Sequence, residues 1–192
     1  LPVGESDKGF GAEEGIFYYG IQTHFTSIDW WHGPLEEEPF KHSGTLNTFV
    51  VRPSLIYGLS EKTNLMISST LGTRSLNWKQ PNSSMHHRNE SSLTDFHNAS
   101  GSILGDSKII LRYLVKNAGL GNGLRVYTGG GLTIPSNAQL TSDPFFLNGD
   151  EVKEHRHFSL SNGTYNYNLE AQMYYKRSAN PTFFGGFILY ER

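Results

Sequence analysis

The chain contains no cysteine. A disulfide framework and a thiolate-bound metal are both excluded. It has no apolar run approaching the 18 or so residues of a membrane-crossing helix. Charged residues make up only 18%, below the usual quarter. The net charge of -2 gives no reason to expect a nucleic-acid partner. There is no nucleophile elbow, no Gly-rich phosphate loop and no HExxH zinc motif. Asp95 and His97 stand near several serines, but Ser and His are simply frequent there, and no catalytic residues are expected. Leu1-Pro2-Val3-Gly4-Glu5 carries neither the basic n-region nor the apolar h-region of a signal peptide; any such peptide has already been removed.

What the chain has in quantity is Gly (21), Phe (12) and Tyr (10), in 192 residues. Its mean hydropathy is -0.44. Low charge with many aromatics and turn residues suits an all-β protein. It suits outer-membrane barrels especially, whose polar interiors make them hydrophilic on average. A membrane protein built of alternating strands passes a hydropathy scan unseen, so the missing apolar run does not exclude a bilayer.

The clearest signal is 164–176, TYNYNLEAQMYYK. Alternate residues give Tyr165, Tyr167, Leu169, Ala171, Met173 and Tyr175 on one face. The other face holds Asn166, Asn168, Glu170, Gln172, Tyr174 and Lys176. The period is two, which means a strand with one apolar and one polar face. In a transmembrane barrel the apolar face meets lipid, with aromatic girdles at both interfaces. In a soluble β-sandwich it would be core.

Six further strands follow from the same alternation. The first spans 16–25, with Phe17, Tyr19, Ile21, Thr23 and Phe25 opposite Tyr18, Gln22 and His24. The second spans 45–57, with Phe49, Val51, Leu55 and Tyr57 opposite Thr48, Arg52 and Ser54; Pro53 predicts an irregularity. The third spans 63–78 and the fourth 106–116, where Ile109, Leu111, Tyr113 and Val115 oppose Lys108, Arg112 and Lys116. The fifth, 123–134, contains Gly129-Gly130-Gly131, which permits a sharp bend or a bulky neighbour. The stretch 164–176 is the sixth and 182–190 the seventh. Residues 1–14 read as a flexible or peripheral lead-in to a barrel region over 15–192.

Loops at 26–43, 79–105 and 135–163 are long; those after the second, fourth and sixth strands are short. A meander puts all long loops at one end, as in outer-membrane barrels, and a Greek-key sandwich has no reason to do so. Each strand has roughly ten residues, near the 9–11 that cross a bilayer at a tilt. The expected fold is an all-β, up-and-down antiparallel transmembrane β-barrel in the outer membrane of a Gram-negative bacterium.

Four motifs add a resemblance. Gly105-Asp106-Ser107-Lys108-Ile109-Ile110-Leu111-Arg112-Tyr113 resembles the GDxxLxxKY strand of outer-membrane transporters of the phenol-degradation (MetA-pathway) type. Gly129-Gly130-Gly131-Leu132-Thr133-Ile134-Pro135-Ser136 is similar to their GxGLxLPTG strand end. Tyr57-Gly58-Leu59-Ser60-Glu61-Lys62-Thr63-Asn64-Leu65 is similar to the periplasmic turn YGLTDRLTL. Ser161-Asn162-Gly163-Thr164-Tyr165-Asn166 resembles GSGSWD. The order matches over about residues 45–190. Arg112 stands where Lys is usual, Ser136-Asn137 replaces Thr-Gly, and Asn-Tyr-Asn replaces Trp-Asp. The resemblance implies more than seven strands, and passage or binding of small, often hydrophobic compounds.

Seven strands do not make an even-numbered bacterial barrel. The expectation is therefore a part of a barrel of roughly 8–12 strands, completed by further strands or plugged or closed by other chains. Its partners would be the lipid bilayer and small solutes. The lumen-lining residues are Arg52, Arg74, Lys108, Arg112, Lys116, Arg125, Glu170, Gln172 and Lys176, a basic set that would favour anionic solutes. Against that stands pairing with acidic groups elsewhere in the interior. Trp30, Trp31, Trp78, Tyr165 and Tyr175 are the interface aromatics; Phe40 and Phe145-Phe146 also sit at loop–strand junctions.

No cofactor is expected beyond a divalent metal held by the loops. His86, His87, His155 and His157 are its candidate ligands, with Asp150 and Glu154 near the second pair. The spacing in His155-Arg156-His157 puts both rings on one side of an extended segment, as a Zn or Cu site could use. Solvated loop histidines are the plainer reading. Glu36-Glu37-Glu38 could attract Ca²⁺ but reads as a solvated charge run. The Asn-x-Ser/Thr sequons at Asn82, Asn89, Asn98 and Asn162 arise from composition. Besides a channel, a partner-binding barrel presenting His-rich loops and a soluble secreted β-sandwich remain as alternative functions.

Overall fold

A computed structural model describes residues 8–34, 38–82, 84, 87, 89–92, 103–119, 121–137, 160–161, 163–177 and 182–192. Its elements are β1 (Phe17–His32), β2 (His42–Gly58), β3 (Thr63–Trp78), β4 (Glu90–Ser91), β5 (Leu104–Asn117), β6 (Gly123–Ile134), β7 (Asn166–Arg177) and β8 (Thr182–Glu191). Seven long strands pair antiparallel in sequence order, with the short β4 added beside β3. The sheet curls into a half-barrel, and no helix occurs among the described residues. Among the described residues, β1 pairs only with β2, and β8 only with β7.

The period-two alternation sorts side chains between the two faces of this sheet. In β7, Asn168, Glu170, Gln172 and Tyr174 are buried on the concave face, while Tyr167, Leu169, Ala171 and Met173 are exposed on the convex face. The pairing carries this division to the neighbours: Leu132, Gly130, Thr128 and Val126 of β6 stand opposite those four convex residues. Strands β3 and β6 match the expected spans. β1 runs seven residues beyond Phe25, so much of the expected loop 26–43 is hairpin strand. The connections between strands at one end are 33–41, 79–103 and 135–165, against 59–62, 118–122 and 178–181 at the other.

The ladders are irregular at three places, one of them a register shift between Ser69 and Leu71 where β3 pairs with β5. Pro53 has no amide hydrogen to donate, and the β2–β3 ladder breaks at Arg52 and Pro53 without changing register. A bulge between Leu114 and Lys116 puts Lys116 opposite Val126. The extra residue turns Lys116 to the convex face, so it does not join the inward set expected from strict alternation.

The lead-in is not peripheral where it is described. Residues 8–14 lie against the concave face at the short-connection end. Phe10 and Ala12 pack with Ile56, Met66, Ile110 and Leu189. Asn64 Nδ2 donates to the Ala12 carbonyl at 2.9 Å, and the Gly15 amide donates to the Gly58 carbonyl at 2.9 Å. A Cβ on Gly58 would collide with the Glu13 backbone, so only glycine lets the segment approach this closely. Residues 1–7 lie outside the described residues.

Candidate functional site

The concave face holds an ionic centre built by three adjacent strands. Arg112 of β5 pairs with Gly129 of β6, which pairs with Glu170 of β7. Gly129 has no side chain to stand between them, so the guanidinium reaches across β6. Its Nε donates to Glu170 Oε1 at 2.6 Å and its Nη2 to Oε2 at 3.0 Å. Gln172 Nε2 donates to Oε1 at 2.8 Å, and Lys8 Nζ lies 3.3 Å from Oε2. The Gly9 amide donates to Gln172 Oε1 at 2.9 Å, which ties the N-terminal segment to the same centre. Arg112 and Glu170 side chains are 0% exposed. Buried charges persist only when paired and hydrogen-bonded, and a bidentate Arg–carboxylate contact meets that requirement.

A second network lies toward the long-connection end. Asn168 Nδ2 donates to the Thr133 hydroxyl at 2.8 Å, which donates to Glu191 Oε1 at 2.8 Å. Lys108 forms an ion pair with Glu191. Between the two networks lies a cavity of about 160 Å³, lined by Lys8, Arg52, Lys108, Asp106, Met66 and Phe187 among others.

At the far end of the concave face, β1, β2 and β3 build an aromatic cluster. Trp30 and Trp78 both stand opposite Gly44, in the inward register. His32 and His42 face each other across the β1–β2 pair. Their rings stack at 4.4 Å, Phe40 stacks on His42 at 4.9 Å, and Trp78 stacks on His87 at 5.4 Å. His32, His42 and His87 each present a ring nitrogen, and these three atoms lie within 4.8 Å of one another. Glu38 Oε2 lies 3.2 Å from His42 Nε2.

These positions amend several expectations. The interior is not a set of cations around one carboxylate: Asp106 and Glu191 share the concave face, and Arg112 and Lys108 are paired. Arg52, Arg74, Arg125 and Lys176 lie on the concave side by register. Trp30 and Trp78 are not outward interface aromatics, because their pairing with Gly44 turns them inward. Trp31, Tyr165 and Tyr175 are exposed, with Lys41 Nζ 4.8 Å above the Trp31 ring. Among the candidate metal ligands His87 joins the cluster, whereas His86, His155 and His157 lie outside the described residues, as do His97, Asp150, Glu154, Phe145 and Phe146.

Sequence reasoning missed Lys8, His32 and His42. Lys8 sat in a stretch read as peripheral. The two histidines fell in a stretch read as loop, although they flank 33–41 symmetrically. No protein-family model, no curated protein and no solved structure matches this chain.

Proposed function

We propose that this chain forms part of the wall of an outer-membrane β-barrel in a Gram-negative bacterium, passing or binding small solutes. The observation that carries the reading is the inverted polarity of the sheet. Tyr19 (81% exposed), Ile21, Phe25, Tyr167, Leu169 and Ile188 (73%) cover the convex face, while Glu170 and Arg112 are buried on the concave one. In water such a sheet would expose its apolar side chains and bury its charges, each at a cost. In lipid the same arrangement is favourable. The resemblance to transporters of the MetA-pathway type points the same way.

Open sheet edges do not occur within the hydrocarbon region. β1 and β8 are both edges, and both run from the short-connection end to the long-connection end, so joining them directly would give a parallel contact. An odd number of additional strands, for a total of about 8–12, restores the even antiparallel barrel. The cavity sets Arg52 and Asp106 beside the paired Lys8 and Lys108, with Met66 and Phe187 on its walls, which suits small solutes that combine polar and apolar parts.

Conductance across a planar bilayer tests the transport reading. Solute-dependent conductance is expected, and it rises in Lys8→Ala, which loosens the N-terminal segment from Glu170. Membrane-inserted protein that conducts nothing, with or without that substitution, would overturn the transport reading.

A further inference from the structure

We infer that His32, His42 and His87 form a binding site for a divalent late first-row metal, with Zn²⁺ as its natural fit. The site stands on the geometry at the long-connection end of β1–β3 and does not depend on whether the convex face meets lipid.

Three imidazoles brought together from β1, β2 and the β3–β4 connection are the donor set that Zn²⁺, Cu²⁺ and Ni²⁺ favour. Zn–N bonds of about 2.0–2.1 Å in a tetrahedron separate two nitrogens by roughly 3.4 Å. His32 Nε2 and His87 Nε2 are 3.4 Å apart. The three donor atoms all lie within 4.8 Å of one another.

The protonation pattern also suits a ligand. His32 Nδ1 contacts the Gly33 carbonyl at 2.8 Å. A carbonyl only accepts, so Nδ1 carries the hydrogen, and the lone pair of the neutral ring lies on Nε2. That is the outer-shell arrangement that orients ligating histidines. Glu38 supplies a carboxylate beside His42, and Ser84 links it to the third ligand: its hydroxyl donates to Glu38 Oε2 at 2.8 Å and accepts from the His87 amide at 3.1 Å. A cavity of about 320 Å³ lined by Trp30, His32, Leu46, Leu76 and His87 adjoins the cluster. Its apolar walls limit competition from water.

The test is competition of the full-length protein with a chromophoric chelator for Zn²⁺, alongside Co²⁺ titration monitored by tryptophan emission. One Zn²⁺ per chain is expected. Co²⁺ should quench most of the indole emission, because Trp30 and Trp78 rings lie 4.7 Å and 5.4 Å from the His87 ring. His32→Gln and His87→Gln should each weaken binding at least tenfold, with unchanged β-sheet circular dichroism. His155→Ala with His157→Ala should leave it unchanged. Wild-type affinity no higher than that of the folded His32→Gln/His87→Gln double variant would overturn the proposal. So would loss of binding in the His155/His157 variant alone.

Discussion

The two faces of β7 share one backbone and differ in nearly everything else. The concave row Asn168–Glu170–Gln172–Tyr174 is buried and cross-linked to β5, β6 and the N-terminal segment. The convex row Tyr167–Leu169–Ala171–Met173 is exposed. Polar groups inside and apolar groups outside invert the usual arrangement of a water-soluble sheet. The comparison teaches that the solvent of the convex face, rather than the fold, has to explain this chain. It also says where substitutions should hurt and where they should not.

The largest effect belongs to the concave face. Glu170→Ala leaves Arg112 buried without its carboxylate and should cost about 3–5 kcal/mol, measured by urea unfolding in lipid vesicles or detergent. The combined replacement of Lys8→Met, Arg112→Met and Glu170→Leu removes all three charges of the centre and should cost far less than the single change. Equal costs would mean that the ion pair is not the element holding β5 to β7.

The convex face comes next. Leu169→Arg should destabilise the vesicle-inserted protein by about 2–4 kcal/mol, the cost of a cation at bilayer mid-depth. On a water-facing surface the same change would stay within about 0.5 kcal/mol of neutral. Gly129→Val should cost about 1–3 kcal/mol by crowding the row between Arg112 and Glu170, since a Cβ there already meets Ile110 Cγ2 and the Leu111 carbonyl at 3.1 Å. The smallest effect should be Tyr175→Arg, about 0–1 kcal/mol at an interface position. A cost equal to that of Leu169→Arg would remove the depth dependence on which the comparison rests.

How much of this was legible depends on which forces act locally. The strand cores could be read because a strand with chemically different faces alternates in sequence; 164–176, 63–78 and 123–134 show it. The end of β1 could not. Beyond Phe25 the outward positions become Ser27 and Asp29 while the inward ones become Ile28 and Trp30, so the alternation reverses its polarity as the hairpin continues and no longer matches the apolar-out pattern of 16–25. Trp78 shares its parity with the inward Arg74 in 63–78, so its inward turn was legible there and was overridden by the expectation of an aromatic girdle; Trp30 fell in a stretch read as loop, and its facing shows only in the pairing with Gly44. The packed N-terminal segment was hidden for the same reason. Lys8 finds its partner in Glu170 and Gly9 in Gln172, contacts that exist only after the sheet has curled. The bulge at Leu114–Lys116 likewise changes the facing of Lys116 with no residue in the strand announcing it.

The absence of cysteine makes the central claim directly testable. Single cysteines placed in turn from Tyr167 to Met173 can carry a nitroxide label, with the protein reconstituted in lipid vesicles. Collision rates are then measured with oxygen, which concentrates in lipid, and with a water-soluble nickel chelate. The account predicts a period of two: labels at 167, 169, 171 and 173 collide with oxygen and are shielded from the chelate, while those at 168, 170 and 172 are shielded from oxygen. Convex labels as open to the chelate as one at the exposed turn residue Leu59 would contradict it.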